Sequence, residues 1–169
     1  GVGDTPNGLN INLDVGATAP EALRRAVLDT HADCGIALDG DGDRLVMIDA
    51  AGTLYDGDQL LYVIARHRAR SQPVPGVAGT LMSNLGFEHA LARMGISLGR
   101  ARVGDRYVLE LMQEKGWLFG GENSGHLLAL DCHSTGDGTI SALQVLAAIV
   151  RTGKTLAQLT SELTLLPQK

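Results

Sequence analysis

Short apolar runs alternate along the chain with longer segments in which apolar residues recur every three or four positions. The runs Cys34–Leu38 and Leu45–Asp49 are typical of strands, whereas Glu21–Thr30 and Gly138–Thr152 have the helical period. A proline-rich connector at 71–76 separates two further elements. This alternation predicts an α/β protein with mixed sheets flanked by helices.

Two acidic residues stand where further helices are expected to begin. Asp58 precedes a helical pattern that continues to about Arg70, and Asp105 precedes another at 106–115. Aspartate is a favoured residue at the N-cap of a helix, so each is predicted to cap its helix. Gly116 follows the second pattern and is predicted to end it.

Three carboxylates follow the first predicted strand. Asp39, Asp41 and Asp43 alternate with glycines, and Arg44 closes the run. Like charges at this spacing repel one another unless a cation lies between them, and oxygen ligands on a short loop suit Mg²⁺ or Ca²⁺ better than Zn²⁺. Arginine is a natural partner for phosphate. The loop therefore predicts a site for a hard divalent cation beside a phosphate contact.

Three other kinds of loop contain acidic residues at a similar spacing. An EF-hand needs glycine at the sixth position and glutamate at the twelfth, where this chain has Arg44 and Ala50, so that interpretation fails. A phosphatase similar to the haloacid dehalogenases, with Asp39 as nucleophile and Asp41 beside it, remains an alternative, although Asp43 departs from that family's usual Thr or Val. The plainest alternative is a surface turn rich in Asp and Gly.

Two loops together resemble one family, the α-D-phosphohexomutases. Asp39–Arg44 resembles the metal-binding loop of that family, and Gly121–His126 is similar to its sugar-binding loop, Gly-Glu-x-Ser-Gly-His. Asn123 and the segments Gly8–Asn12 and Val103–Val108 resemble the phosphoglucosamine mutase branch. The resemblance covers almost the whole chain.

The resemblance implies an enzyme that moves a phosphoryl group between the 1- and 6-positions of a hexosamine phosphate. A phosphoserine enzyme and a bisphosphorylated sugar intermediate are part of the implied reaction, and Mg²⁺ is the implied cofactor. The implied site residues are Asp39, Asp41 and Asp43 for the metal, Glu122 and Ser124 for the substrate, and Arg44 and His126 for catalysis. The chemistry of its amide makes Asn123 a further candidate for substrate binding.

The same resemblance suggests a domain boundary and a fragment. Residues 1–54 are expected to form the C-terminal part of the family's second domain, and residues 55–169 its third domain. None of the seven serines lies in the family's nucleophile motif, which is similar to Ser-Ala-Ser-His-Asn, and the C-terminal phosphate-binding loop is not present. The chain is therefore expected to be an internal fragment whose partners are the missing domains of a parent protein.

Composition narrows the remaining classes. The 169 residues are 44% hydrophobic, which is enough for a sizeable core. A net charge of −5, six aromatic residues and the lack of an uninterrupted basic run give no support to nucleic-acid binding. No apolar run is long enough to predict a membrane span. The two cysteines, Cys34 and Cys132, suit a reducing cytoplasm.

Other functions stay open on the sequence alone. Within the same family, the chain could have phosphomannomutase or phosphoglucomutase specificity. Outside catalysis, it could be a stand-alone module that binds sugar phosphate or Mg²⁺.

The first prediction is that the pure 169-residue chain has no mutase turnover. It carries the metal loop and the sugar loop, but the nucleophile and the phosphate clamp have no match in it. A coupled assay for hexose phosphate isomerisation in the presence of Mg²⁺ measures this. Turnover by the chain alone would contradict the prediction.

Overall fold

The computed structural model describes residues 1–168. The helices are α1 Glu21–Thr30, α2 Gly57–Arg68, α3 Leu85–Arg93, α4 Asp105–Lys115, α5 Gly138–Thr152 and α6 Leu156–Leu159. The strands are β1 Cys34–Leu38, β2 Leu45–Asp49, β3 Leu54–Tyr55, β4 Gly76–Thr80, β5 Ser97–Ala101, β6 Phe119–Gly121 and β7 Leu127–Ala129. None of the helices in this part of the chain has the length and apolar character to cross a membrane.

The first sheet is antiparallel, with the order β1-β2-β3. Leu38 pairs with Leu45 at the end of the β1–β2 hairpin, so the run of three carboxylates forms the hairpin loop. Helices α1 and α5 both pack against this sheet. Gly35 faces α1, since a Cβ at this position would collide with Leu23 and Val27.

The second sheet has the order β5-β4-β6-β7. Strands β5 and β6 run parallel to β4, whereas β7 is antiparallel to β6. Successive strand residues point to opposite faces. Val77 therefore joins the large core formed with α2, α3 and α5, while Ala78 packs with Val108 and Met112 of α4. Helices thus cover both faces of this sheet, and the predicted α/β class is confirmed.

One hydrophobic core extends across both sheets. Leu45, Met47 and Tyr55 of the first sheet belong to the same buried cluster as Val77 and Phe119 of the second. Packing is therefore continuous where the sequence suggested a division, and the boundary between residues 54 and 55 stays a prediction.

The starts of two helices differ from the sequence-based expectation. Asp56, not Asp58, caps α2, because Asp56 has an extended backbone and its side chain accepts the Gln59 N–H at 3.0 Å. The Gln59 side chain in return accepts the Asp56 N–H at 3.1 Å. Helix α4 begins after Gly104, and Asp105 lies in its first turn without capping it.

Asp58 is instead a buried acid in the first turn of α2. Asp58 is only 1% exposed, and its Oδ2 accepts a hydrogen bond from the Asn84 N–H at 2.6 Å. Oδ1 has no hydrogen-bond partner among residues 1–168. Burial raises the pKa of Asp58 to about 6; the charge of Asp56 adds to the rise, and the Asn84 hydrogen bond and Arg100 oppose it.

The second prediction is that Asp58→Asn removes part of the pH dependence of stability. In the folded protein the pKa of Asp58 is about 6, above the ordinary value of 3.8. Protonated Asp58 therefore makes its full contribution to stability below pH 3.8, and this contribution is lost as the pH rises through about 6. The neutral amide is expected to raise the free energy of unfolding at pH 8 by about 1–3 kcal/mol. Urea unfolding at pH 8 and pH 4 measures the gain, which should shrink at the lower pH.

The control for this prediction is Asp29→Asn, which removes an exposed carboxylate from α1. If Asp29→Asn changed the pH dependence as much as Asp58→Asn did, burial would not be the cause.

Candidate active site

The hairpin loop between β1 and β2 brings three carboxylates together. One carboxylate oxygen from each of Asp39, Asp41 and Asp43 lies within 4.8 Å of the other two. Gly42 has a φ of +75°, a conformation that glycine adopts without strain, and it turns the chain between them. Three hard oxygen donors at this spacing fit a divalent cation such as Mg²⁺.

Arg44 secures one of these carboxylates. Its backbone N–H donates to Asp39 Oδ1 at 3.0 Å, and its Nε lies 3.5 Å from Asp39 Oδ2. The Asp39 side chain is 8% exposed and that of Arg44 is 47% exposed. Asp39 is therefore fixed by the loop, while the Arg44 guanidinium keeps a surface that a phosphate could reach.

The second loop is the turn between β6 and β7. The Glu122 N–H donates to the His126 carbonyl at 2.9 Å, and the Gly125 N–H donates to the Glu122 carbonyl at 3.0 Å. Glu122 and Asn123 are half-buried and Ser124 is exposed. This turn presents the polar side chains predicted to bind a sugar at the surface.

The two loops are joined to each other. The Leu45 N–H donates to the Gly125 carbonyl at 3.0 Å, and a Cβ at position 125 would collide with the Leu45 backbone oxygen. His126 is buried, and its Nδ1 lies 3.2 Å from Asp43 Oδ2. Gly136 covers the imidazole so closely that a Cβ there would overlap the ring. Residues that are 83 positions apart in the sequence therefore form one site.

Three negatively charged side chains lie close together in the loop between β1 and β2. Partial burial raises the pKa of Asp43, and the charges of Asp39 and Asp41 raise it further, while His126 opposes the rise. The three carboxylates thus repel one another in the absence of a cation.

All eight predicted site residues lie in these two loops. Only some of their side chains contact one another. Observed side-chain contacts pair Asp39 with Arg44 and Asp43 with His126. Within residues 1–168, no hydrogen bond joins the side chain of Glu122 to the three carboxylates.

Two glycines at helix starts contribute to the site, and the sequence motifs did not predict this role for them. The Gly104 N–H donates to Glu122 Oε1 at 2.8 Å, with φ of Gly104 at +126°. The Gly57 N–H donates to the Asn123 carbonyl at 3.1 Å, and a Cβ at position 57 would collide with the Glu122 carbonyl. The only sequence signal was a glycine directly before or at the start of a helical pattern.

These features define an α/β scaffold on which a loop with three carboxylates lies against a second loop with polar side chains. The sequence profile described as phosphoglucomutase/phosphomannomutase, alpha/beta/alpha domain III, matches residues 56–165. The chain belongs to the phosphoglucomutase/phosphomannomutase family.

Comparison with curated relatives narrows the resemblance. The chain is 68% identical over 168 residues to the phosphoglucosamine mutase of Dechloromonas aromatica (strain RCB), a match that covers 99% of this chain and 37% of that protein. The resemblance to the phosphoglucosamine mutase branch is thereby confirmed. The chain spans a little over a third of the length of this relative.

Solved structures share the fold. A phosphoglucomutase/phosphomannomutase family protein from Burkholderia thailandensis has a TM-score of 0.76 at 22% identity, over 88% of this chain and 32% of that one. Aspergillus fumigatus N-acetylphosphoglucosamine mutase, in complex with GlcNAc-6P and magnesium, has a TM-score of 0.72 at 20% identity, over 92% of this chain and 41% of that one. These similarities support the α/β fold class.

The third prediction separates the roles of two loop carboxylates in metal-free protein. Asp39→Ala is expected to lower the free energy of unfolding by about 1–2 kcal/mol, because the Arg44 N–H loses its acceptor. Asp41→Asn is expected to cause no loss, because it relieves repulsion within the cluster. Urea unfolding in the presence of EDTA compares the two variants, and strong destabilisation by Asp41→Asn would contradict this account of the loop.

Proposed function

We propose that this chain supplies the metal loop and the sugar loop of a phosphoglucosamine mutase. In the proposed reaction, glucosamine 6-phosphate and glucosamine 1-phosphate interconvert through a phosphoserine enzyme and a bisphosphorylated sugar. The observation that carries the proposal is the junction of the two loops, through the Leu45–Gly125 backbone hydrogen bond and the His126–Asp43 contact. This junction brings a set of cation ligands next to a set of groups suited to a sugar.

The metal loop is assigned to the transferring phosphoryl group. Asp39, Asp41 and Asp43 would hold Mg²⁺, which when bound polarises phosphoryl oxygens and offsets their charge. Arg44 would donate hydrogen bonds to the same group from its exposed guanidinium. Phosphoryl transfer depends chiefly on such positioning and charge neutralisation.

The sugar loop is assigned to the hexosamine ring. One oxygen of Glu122 is occupied by the Gly104 N–H, which leaves the other to accept from a sugar hydroxyl. The exposed Ser124 hydroxyl can both donate and accept. Asn123 is assigned to the substituent next to these hydroxyls, which in glucosamine is the 2-amino group.

His126 is assigned to proton transfer. Its Nδ1 faces Asp43, which orients the ring, so Nε2 is the nitrogen we assign to the attacking sugar hydroxyl. When the hydroxyl oxygen bonds to phosphorus, the bond between phosphorus and the serine oxygen of the parent protein would break, and the imidazole would take the hydroxyl proton. In the reverse transfer the serine oxygen would bond to phosphorus again, and the imidazole would return the proton to the departing sugar oxygen.

The remaining components lie outside the 169 residues in this proposal. The phosphoserine and the phosphate-binding loop would come from other domains of the parent protein, which are the expected partners of this chain together with the hexosamine phosphate. A cytoplasmic location is also part of the proposal, based on the two free cysteines.

The fourth prediction tests this function in the longest reading frame that contains the chain. With Mg²⁺ and a hexose bisphosphate activator, glucosamine 6-phosphate is expected to be converted faster than the glucose and mannose phosphates. Asp41→Asn is expected to lower kcat/KM by about 100-fold or more, because it removes a cation ligand. Asp29→Asn is the matched control and should retain activity.

The possible outcomes distinguish the alternatives. Preference for glucose or mannose phosphate would contradict the glucosamine specificity but not the mutase chemistry. Release of inorganic phosphate without isomerisation, together with a covalent phosphate on Asp39, would instead indicate a phosphatase.

A further inference from the structure

Basic side chains collect at the ends of α2 and α5 that lie farthest from the two loops. Helix α2 begins at the sugar loop, where Gly57 bonds to Asn123, and α5 begins at the metal loop, where the Gly138 N–H donates to the Gly42 carbonyl at 2.8 Å. At 1.5 Å per residue, their last turns lie ~18 Å and ~22 Å further on. The basic cluster consists of Arg66, His67, Arg68, Arg70, Arg151 and Lys154.

Only part of this charge is neutralised. Arg66 pairs with Glu162 at 2.7 Å, and Arg68 pairs with Asp131. Three exposed members form no ion pair with any carboxylate of residues 1–168: Arg70, Arg151 and Lys154. A positively charged surface therefore exists on a chain whose net charge is −5.

The basic cluster surrounds two small cavities, of about 190 Å³ and 120 Å³, that share His67 in their walls. Arg70 and Lys154 line the larger cavity. Arg151 and Gln144 line the smaller one. The cations thus line two partly open depressions in the surface.

Buried polar atoms without partners concentrate at the smaller cavity. Within residues 1–168, seven buried side-chain atoms lack a hydrogen-bond partner, and four of them belong to residues that line this cavity. They are His67 Nδ1, Arg68 Nε and both amide atoms of Gln144. Because buried polar groups are normally hydrogen-bonded, these atoms mark the smaller cavity as a place where polar side chains lack partners.

The local potential agrees with this geometry. Burial lowers the pKa of His67, and the charges of Arg151, Arg70 and Arg68 lower it further. Cations at the end of a helix also complement its dipole. That effect does not account for the buried donors that lack partners.

We propose that the basic cluster binds a phosphate group, either as inorganic phosphate or as the monoester of a small soluble molecule. The exposed Arg151, Lys154 and Arg70 would supply the charge and the first hydrogen bonds, and the Gln144 amide and His67 would add theirs after turning toward the cavity. The site is separate from the candidate active site, and it does not depend on the proposed function.

The fifth prediction is tested on the chain by NMR, with the imidazole signal of His67 as the local reporter. Sodium phosphate is titrated at constant ionic strength against a sodium chloride reference, and the signal is assigned by its loss in His67→Gln. A saturable shift is expected, together with a higher pKa of His67 in the bound state, because a nearby anion favours the imidazolium. A linear shift without saturation, or no change at His67, would overturn the proposal.

A pair of double variants tests the assigned cations. Arg151→Gln with Lys154→Gln is expected to weaken phosphate binding by about tenfold or more. The control, Arg25→Gln with Arg102→Gln, removes the same charge from other exposed positions. Equal weakening in both double variants would mean that net charge, not the basic cluster, causes the binding, and would overturn the proposal.

The same titration identifies the source of the phosphate. Tighter binding of glucose 6-phosphate than of inorganic phosphate would support the proposal with a monoester as ligand. The opposite order would support it with the free ion as ligand.

Discussion

The backbone hydrogen bond from Leu45 to Gly125 is the interaction on which the candidate active site depends. It joins the exit of the metal loop to the sugar loop, and it needs a residue without a side chain at position 125. Each loop is also hydrogen-bonded to the start of a helix. The Gly138 N–H of α5 donates to the Gly42 carbonyl, and the Gly57 N–H of α2 donates to the Asn123 carbonyl. The two loops are therefore held together by main-chain hydrogen bonds, independently of their polar side chains.

Acidic residues lie near the N-terminal ends of α2 and α5 and basic residues near their C-terminal ends, which is the arrangement that helix dipoles favour. The N-terminal ends, which carry partial positive charge, lie at the loops that hold the acidic residues. The C-terminal ends, which carry partial negative charge, lie among the basic cluster. Asp58 shows how strongly position matters, since it is an acid near a helix start whose pKa is nevertheless raised by burial.

The sequence predicted most where local pattern determines structure. The bounds of α1, β1, β2 and α5 agree with the apolar periodicity, because each element packs apolar residues against a neighbouring element. Strand β3 has only two residues, too few for a periodic signal. The sequence predicted Asp58 as the cap of α2, whereas the extended backbone and side-chain contact with Gln59 make Asp56 the cap.

Long-range contacts explain what the sequence could not predict at the site. The eight candidate residues came from two short motifs, whereas the Gly104 contact with Glu122 joins a helix start to a separate hairpin. The basic cluster was also hidden, because Arg66, Arg68 and Arg70 alternate with other residues and Arg151 lies on another helix. Packing of α2 against α5 brings them together.

The continuous core has a consequence for how such proteins can diverge. Met47 and Tyr55 pack in one cluster with Val145 of α5 and Leu61 of α2. A chimera that joined residues 1–54 of one homologue to the remainder of another would have to match side-chain volumes across this cluster, since overpacked or underfilled cores are destabilised. Recombination at this position would therefore be constrained by packing, and substitutions on the two sides are expected to accumulate in compensating pairs.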